Sequence, residues 1–390
     1  MKICLVMCWG FEKLDGSNMR VYYLLKELLS RKHNVIVLHS SDEQAVYTKN
    51  TFGCEAISVG QKIDRWVSVK KKMFNYFNFV RKAKKILPLI DCDIVFGISL
   101  INSMAAVSKR NAIKRIMYVD FMSYYFQYGY PEGIKNKLLF KLGNSLEEYT
   151  IKKADHVIMI TKALRNLICP DLHHKIVIVP DGADTKIFCP KYDGSIIRRE
   201  YNLESSYVIG YQGGIEPHDG LQFLAQAAPI ILKERSNVKF LIAGKGSYLE
   251  KIKNLVQKNG TIEHWIFCGW VDFKKIPYFM AATDLNVVPI PDHPATQPVI
   301  TFRLLESMAA GVSVIASDLP GIREIADETM INFTRPENTN TFAYDIIKVL
   351  DMEKNKKEKQ TENSRKKIEE MDWRKICEKD ADFVEGKIVM

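Results

Sequence analysis

No apolar run in this 390-residue chain approaches the roughly 18–20 residues of a membrane-crossing helix. The best stretch, Ile94 to Val107, is interrupted by Ser99, Asn102 and Ser103. No secretory leader pattern precedes the strand-like Ile3–Met7, so a cytoplasmic protein is expected. Eight cysteines are scattered without a Cys-x-x-Cys pair, which argues against disulfides and a zinc site and for reduced thiols. No metal motif and no cofactor motif are seen, so neither group is expected. The dinucleotide pattern Gly-x-Gly-x-x-Gly is missing from the first strand–helix turn, which argues against a dehydrogenase. No carboxylate pair has the spacing of a glycosidase.

What the chain has is length, rhythm and an uneven charge. It is too long for one core and suits two domains of about 150–200 residues each. Residues 1–190 carry 29 Lys+Arg against 17 Asp+Glu, and the remainder 27 against 29, so the basic excess lies wholly in the first half. A basic half attracts something anionic: a membrane surface, a nucleic acid or an anionic substrate. The first half alternates short apolar strands with amphipathic helices: Ile3–Met7, helix Met19–Arg31, Val35–His39, Ile94–Ile98, Ile113–Val119, Val157–Ile160 and Ile176–Val179. Pro180-Asp181-Gly182 and the residues to about Gly194 read as a linker. The rhythm then restarts with Val208–Tyr211, helix Gly220–Glu234, Val238–Ala243, Ile266–Cys268, Leu285–Pro289 and Val312–Ala316. Two α/β domains are expected, over 1–185 and 191–370, with a last helix near 372–390.

The stretch from Arg303 to Glu324 is the richest in chemistry. It reads as a helix, a cap at Gly311, a buried strand and a new helix, with Ser317 and Asp318 as caps and Pro320 in the first turn. A helix start offers backbone N–H groups to an anion. Glu306 upstream is placed to hold sugar hydroxyls, and together these point to a nucleotide-sugar site. Arg303 and Glu306 share a helix face, with an intrahelical ion pair as the plain alternative. Gly16 and Ser17 sit in the first strand–helix loop, where backbone can approach a phosphate. Gly213 to Gly220 forms the matching loop of the second half, with His218 and Asp219 at its tip. Lys245, between Gly244 and Gly246, either reaches a phosphate or is solvated. Asp120 follows a strand at the carboxyl edge, where catalytic groups gather, or is a turn aspartate. Nine Lys/Arg, one acid and several aromatics fill residues 61–85. Trp66–Lys85 therefore suits an anionic membrane surface, with RNA binding or a solvated helix as alternatives. Lys135–Lys141, a second basic amphipathic stretch, favours the membrane.

Several motifs together resemble the family 4 glycosyltransferases, retaining enzymes of the GT-B fold, over nearly the whole chain. They are Lys153-Ala154-Asp155-His156-Val157-Ile158, the run from Val179 to Pro190, Phe240 to Gly246, Phe267 to Val271, Leu305 to Gly311, and Gly321 to Glu324. The resemblance implies two Rossmann-like domains whose parallel sheets face each other across a cleft. The first would take the acceptor, the second would hold the nucleotide-sugar donor, and the final helix around Trp373 would cross back onto the first. It implies that Glu306 binds the ribose, that Gly321 and Ile322 offer N–H groups near the diphosphate, that the loop after Phe267 meets the base, and that Gly16 closes on the phosphates. Three features depart from the family pattern. Pro298 stands where the first glutamate of Glu-x7-Glu is usual, His218 and Asp219 stand where Arg and Lys are usual, and the first domain's histidine is replaced by Asp120 or Met122 nearby.

The expected activity is retaining transfer of a hexose-type sugar from a nucleotide-diphosphate sugar to a glycan or lipid-linked acceptor at the membrane surface. The enzyme would be peripheral on the inner face of the cell membrane, with no nucleic-acid partner and no metal. Asp120 and His218 are the expected catalytic groups. Gly16, Ser17, Gly214, Gly244, Lys245, Arg303, Glu306, Gly321, Ile322 and Glu324 are the expected donor-binding set. If His218 serves as a cation, activity should fall as pH rises through about 6.5. A GT-B epimerase or phosphorylase, and a non-catalytic nucleotide-sugar or nucleic-acid binder, are the alternatives.

Overall fold

The computed structural model describes residues 1–11, 16–61, 63, 69–109, 112, 114–119 and 134–387, and of 16–17, 69–70, 72–73 and 134–140 the backbone alone. The chain divides into two compact units. One holds the residues up to Asp181 together with the last helix from Trp373, and the other is built on Gly182–Asp372.

The first unit carries β1 (Lys2–Val6), β2 (Asn34–His39), β3 (Glu55–Ser58), β4 (Ile94–Ile98), β5 (Lys114–Val119), β6 (His156–Met159) and β7 (Ile176–Ile178). They form one sheet in the order β3-β2-β1-β4-β5-β6-β7, with every pairing parallel. The second unit carries β8 (Tyr207–Gly214), β9 (Val238–Lys245), β10 (Trp265–Gly269), β11 (Leu285–Val288), β12 (Val314–Ser317) and β13 (Asn332–Thr334), in the parallel order β10-β9-β8-β11-β12-β13. Helices cover the strands, so central strands are buried on both faces and read as unbroken apolar runs. β4 and β11 are buried throughout. The sequence pattern locates every strand except β3 and β13. Those two are short edge strands with partly exposed residues, and they lack the apolar run that marks the others.

Local chemistry sets the helix ends. Ser41 and Gln44 form a capping box at the start of Asp42–Phe52, and Gly53, at φ 68°, ends it in the left-handed conformation. Asn338 accepts the Thr341 N–H at 3.0 Å to cap Thr339–Leu350. The lysine- and glutamate-rich run near 353–370 is a helix, Lys354–Glu370. Among the described residues no helix is long and apolar enough to cross a membrane. The eight cysteines are free thiols.

The last helix, Trp373–Val384, packs on the first, Gly16–Ser30, through a buried charge network. Arg20 donates from Nε and Nη2 to the two oxygens of Asp380, at 2.8 and 2.6 Å. Its Nη1 donates to Val179 O at 3.0 Å and reaches Asp181 Oδ1 at 3.3 Å. The Tyr118 hydroxyl donates to the same Asp181 oxygen at 2.8 Å, and the guanidinium lies 4.4 Å from the Tyr118 ring centre. Burial pushes the Asp181 pKa up, and Arg20 and Tyr118 hold it back. Removing one partner of such a network strands the remaining charge in a dry interior. Arg20→Ala should therefore lower unfolding free energy by about 3–5 kcal/mol. Urea unfolding followed through the first unit checks this, and an unchanged midpoint contradicts it.

Candidate functional site

In a parallel sheet ligands gather beyond the carboxyl ends of the strands, where the winding reverses. In the second unit β8 pairs with both β9 and β11, so the reversal falls between β8 and β11. The loops at that edge are Gly213–Gly220 after β8, Lys245–Ser247 after β9, and the long segment after β11 that leads into helix Phe302–Ala310.

The helix Phe302–Ala310 brings two charged side chains to this edge. It ends where the sequence places its cap, at Gly311, whose φ is 71°. Ser307 on the same helix accepts from Asn286 Nδ2 at 3.0 Å, which ties the helix to β11. Glu306 is half-buried and, among the described residues, makes no hydrogen bond and no ion pair. Burial pushes its carboxyl up to about 7, with the charge of Arg303 acting the other way. Arg303 is not its ion-pair partner. Arg303 Nη2 donates instead to Asp219 Oδ1 at 2.7 Å, and its guanidinium carbon sits 4.2 Å from the Tyr211 ring centre. Asp219, which stands where the family pattern has a basic residue, is thus paired with an arginine 84 positions away.

His218 lies beside this pair, with Nε2 3.9 Å from Asp219 Oδ2. Burial lowers its pKa although Asp219 and Glu216 act to raise it. The buried setting thus works against the cationic role that the sequence expectation gives His218. Gly214 ends β8 and is paired in register with Lys245 at the end of β9. Lys245 is exposed. Gly244 has no room for a side chain, since a Cβ there would lie 1.9 Å from Gly213 O.

The turn after β12 differs in detail from the sequence pattern. Pro320 opens the short helix Pro320–Arg323, but its N-cap is Leu319, without a side-chain cap. Asp318 pairs with Arg323 at 2.6 Å instead. Gly321 donates its N–H to Gln297 O at 2.8 Å, so it is not the open donor that the sequence points to. A Cβ at Gly321 would also lie 2.6 Å from the Pro298 carbonyl carbon, so the segment bearing Pro298 packs directly on this turn. Among the described residues the N–H of Ile322 makes no hydrogen bond. Glu324 follows, exposed. In the first unit Gly16 and Ser17 open the helix Gly16–Ser30. Asp120 and Trp66 lie outside the described residues, as does Met122. Among the described residues no three His, Cys, Asp or Glu side chains gather as a metal site requires.

The unpartnered Glu306 carboxyl yields a direct expectation. Its pKa is raised in the fold, so the folded state holds an extra proton between about 4.5 and 7. Its contribution to stability is fully present below pH 4.5 and is lost as pH rises through 7. Glu306→Gln should therefore raise the thermal midpoint at pH 8 and leave it unchanged at pH 4. An equal shift at both pH values contradicts this.

Comparison with known proteins adds the lineage. Residues 14–226 match the family described as Glycosyltransferase Family 4, and residues 206–352 match Glycosyl transferases group 1. An uncharacterized glycosyltransferase of Methanocaldococcus jannaschii, MJ1607, is 25% identical over 53% of this chain and 54% of its own length. The GDP-mannose-dependent alpha-(1-6)-phosphatidylinositol monomannoside mannosyltransferase of Mycobacterium tuberculosis is 30% identical over 37% of this chain and 39% of its own. The chain thus spans about half or less of the length of these curated relatives. The structure of sucrose-phosphate synthase from Thermosynechococcus elongatus superposes with a TM-score of 0.77 at 16% identity, covering 99% of this chain and 98% of that one. That likeness identifies the two-sheet α/β architecture as the GT-B fold.

Proposed function

Since the chain belongs to glycosyltransferase family 4, we propose that it is a retaining enzyme that moves a sugar from a nucleotide-diphosphate sugar to a lipid-linked or glycan acceptor at a membrane surface. The observation that carries the donor assignment is Glu306, a half-buried carboxyl at the carboxyl edge with no hydrogen-bond or ion-pair partner among the described residues. An ionised carboxylate accepts two or more hydrogen bonds, and vicinal hydroxyls of a ribose supply them. The M. tuberculosis relative bears a GDP-mannose-dependent name, which supports a donor of this class. In this reading Glu306 holds the ribose, while the Ile322 N–H and Lys245 face the diphosphate. The reaction breaks the anomeric C–O bond. The sugar gains oxocarbenium character and the leaving diphosphate gains negative charge. Donors aimed at that charge lower the barrier without reorganising. The acceptor hydroxyl attacks on the face the diphosphate leaves, and its proton passes to the departing phosphate oxygen.

Release of nucleoside diphosphate in the presence of acceptor tests this against the epimerase and binding-protein alternatives. A thermal-shift screen of UDP-, GDP- and ADP-sugars identifies the base, because a ligand bound only by the folded state raises the midpoint. The pH profile is specific. Ionised Glu306 accepts donor hydroxyls and the protonated form does so less well, so donor affinity should rise as pH increases through about 7. Glu306→Gln should abolish that step and His218→Asn should leave it in place. A step that vanishes with His218 instead contradicts the assignment.

The acceptor side rests on the first unit. Helix Val69–Ile86 buries Phe79 and Ala83 and turns Phe74 (64% exposed) and Phe77 (68% exposed) outward, beside the exposed Lys71, Arg81, Lys84 and Lys85. Aromatic side chains flanked by cations suit the headgroup region of an anionic bilayer. The protein should therefore sediment with phosphatidylglycerol-containing vesicles at low salt and be released at 0.5 M salt, roughly three times the ionic strength at which screening already acts within about 8 Å. Phe74→Ser with Phe77→Ser should weaken this binding. Equal recovery in the supernatant with neutral and anionic vesicles contradicts it.

A further inference from the structure

We propose that Arg303 is a positioning residue: its ion pair with Asp219 clamps the Gly213–Gly220 loop at the carboxyl edge, and its guanidinium does not contact the donor. This rests on the reading that the site takes a nucleoside diphosphate. The simple expectation for an arginine three residues from a ribose-binding glutamate is a phosphate contact. Its surroundings argue otherwise. Only 8% of the Arg303 side chain is exposed, and Nε, which has no hydrogen-bond partner among the described residues, is buried with it. Nη2 is engaged by Asp219 Oδ1 at 2.7 Å, and the Tyr211 ring lies 4.2 Å from the guanidinium carbon. The carboxylate also offsets the arginine charge, so the pair presents little net field to a diphosphate.

The same contacts close a circuit through the loop. Asp219 Oδ2 accepts the Glu216 N–H at 3.0 Å. The Glu216 carboxylate accepts the Ser247 N–H at 2.9 Å and the Ser247 hydroxyl, joining the loop after β8 to the loop after β9. The Tyr211 hydroxyl donates to Gly214 O, and the Ile215 N–H donates to Lys245 O at 3.1 Å. The glycines make room for this clamp. Gly213 holds φ at 132°, and a Cβ there would lie 3.3 Å from Arg303 Nη2. A Cβ at Gly214 would lie 3.0 Å from Asp219 Oδ2. Gly220, at φ 78°, would place a Cβ 1.7 Å from Pro289 O, so the far end of the loop is seated on the segment after β11. Arg303 thus acts from beneath the loop, and Asp219 is the link through which it acts.

Asp219→Asn separates the two roles, because it removes an anion from the site and breaks the pair together. If Arg303 contacts phosphate directly, losing the neighbouring carboxylate leaves binding equal or tighter. If the pair positions the loop, binding and turnover both fall. Titration calorimetry with UDP, GDP and ADP on the full chain reads affinity, and product release reads kcat and KM. Misplacement by an ångström costs up to about 100-fold, and Asp219→Asn should weaken nucleotide binding by about tenfold, close to 1.4 kcal/mol. Arg303→Lys keeps the charge but cannot keep both the ring contact and the carboxylate contact, and it should lose a similar factor. The double variant should be no worse than either single one. Asp219→Asn that binds as tightly as the parent, or Arg303→Lys with full affinity, overturns the proposal. A parent protein that binds none of the three nucleotides overturns the functional reading itself. Should Asp219→Asn fail to fold, as a lost thermal transition would show, Asp219→Glu takes its place: it keeps the anion but displaces it, so lost affinity supports the clamp and full affinity overturns it.

Discussion

A parallel strand can be followed only by a crossover, and where the direction of winding reverses, two neighbouring loops leave the sheet on opposite sides. In the Gly182–Asp372 unit that reversal lies between β8 and β11. Everything of chemical interest in this unit collects at that edge. The Gly213–Gly220 loop follows β8, and its last glycine is seated against Pro289, just past β11. Helix Phe302–Ala310 then delivers Arg303 and Glu306 to the same region, and the turn after β12 supplies Ile322. The topology places the groups, and the side chains decide what each one does.

Two carboxyl groups at this edge show how environment assigns roles. Asp219 is paired with Arg303, and that pair is spent on holding the loop. Glu306 has no hydrogen-bond or ion-pair partner among the described residues, and burial pushes its carboxyl up to about 7. A half-buried acid without a hydrogen-bond partner among the described residues costs stability when it ionises, and a ligand that donates to it offsets that cost. Burial of His218 beside them disfavours its cationic form. Among the described residues, this edge presents the Glu306 carboxyl as an acceptor and the Ile322 N–H as a donor, with Lys245 exposed nearby. That is the polarity a diol and a phosphate require.

Much of this architecture is legible in the sequence because local signals and fold agree. The β-branched run before Ser317 is a strand, Gly311 caps the preceding helix, and the Pro180-Asp181-Gly182 break falls where the units divide. The edge strands β3 and β13 escape such a reading because half-exposed strands need no apolar run. The site is less legible than the fold, and for one reason: its decisive contacts join residues far apart in the chain. Asp219 and Arg303 look like a misplaced acid and a phosphate ligand until they are seen 2.7 Å apart. Gly321 looks like an open donor until Gln297 is seen to take its N–H. Asp318 looks like a cap until Arg323 is seen to hold it. Glu306 is the exception, since the sequence already marks it as a sugar-hydroxyl acceptor and the proposed role is the same.

The central claim is that the carboxyl edge of the second sheet binds the nucleoside diphosphate of a sugar donor. Amide hydrogen exchange of the full protein, with and without saturating nucleoside diphosphate, reports on this edge most directly. The account predicts slower exchange confined to the Gly213–Gly220 loop, helix Phe302–Ala310 and the turn at Ile322. Protection elsewhere with these segments unchanged, under conditions where the nucleotide is bound, would contradict it.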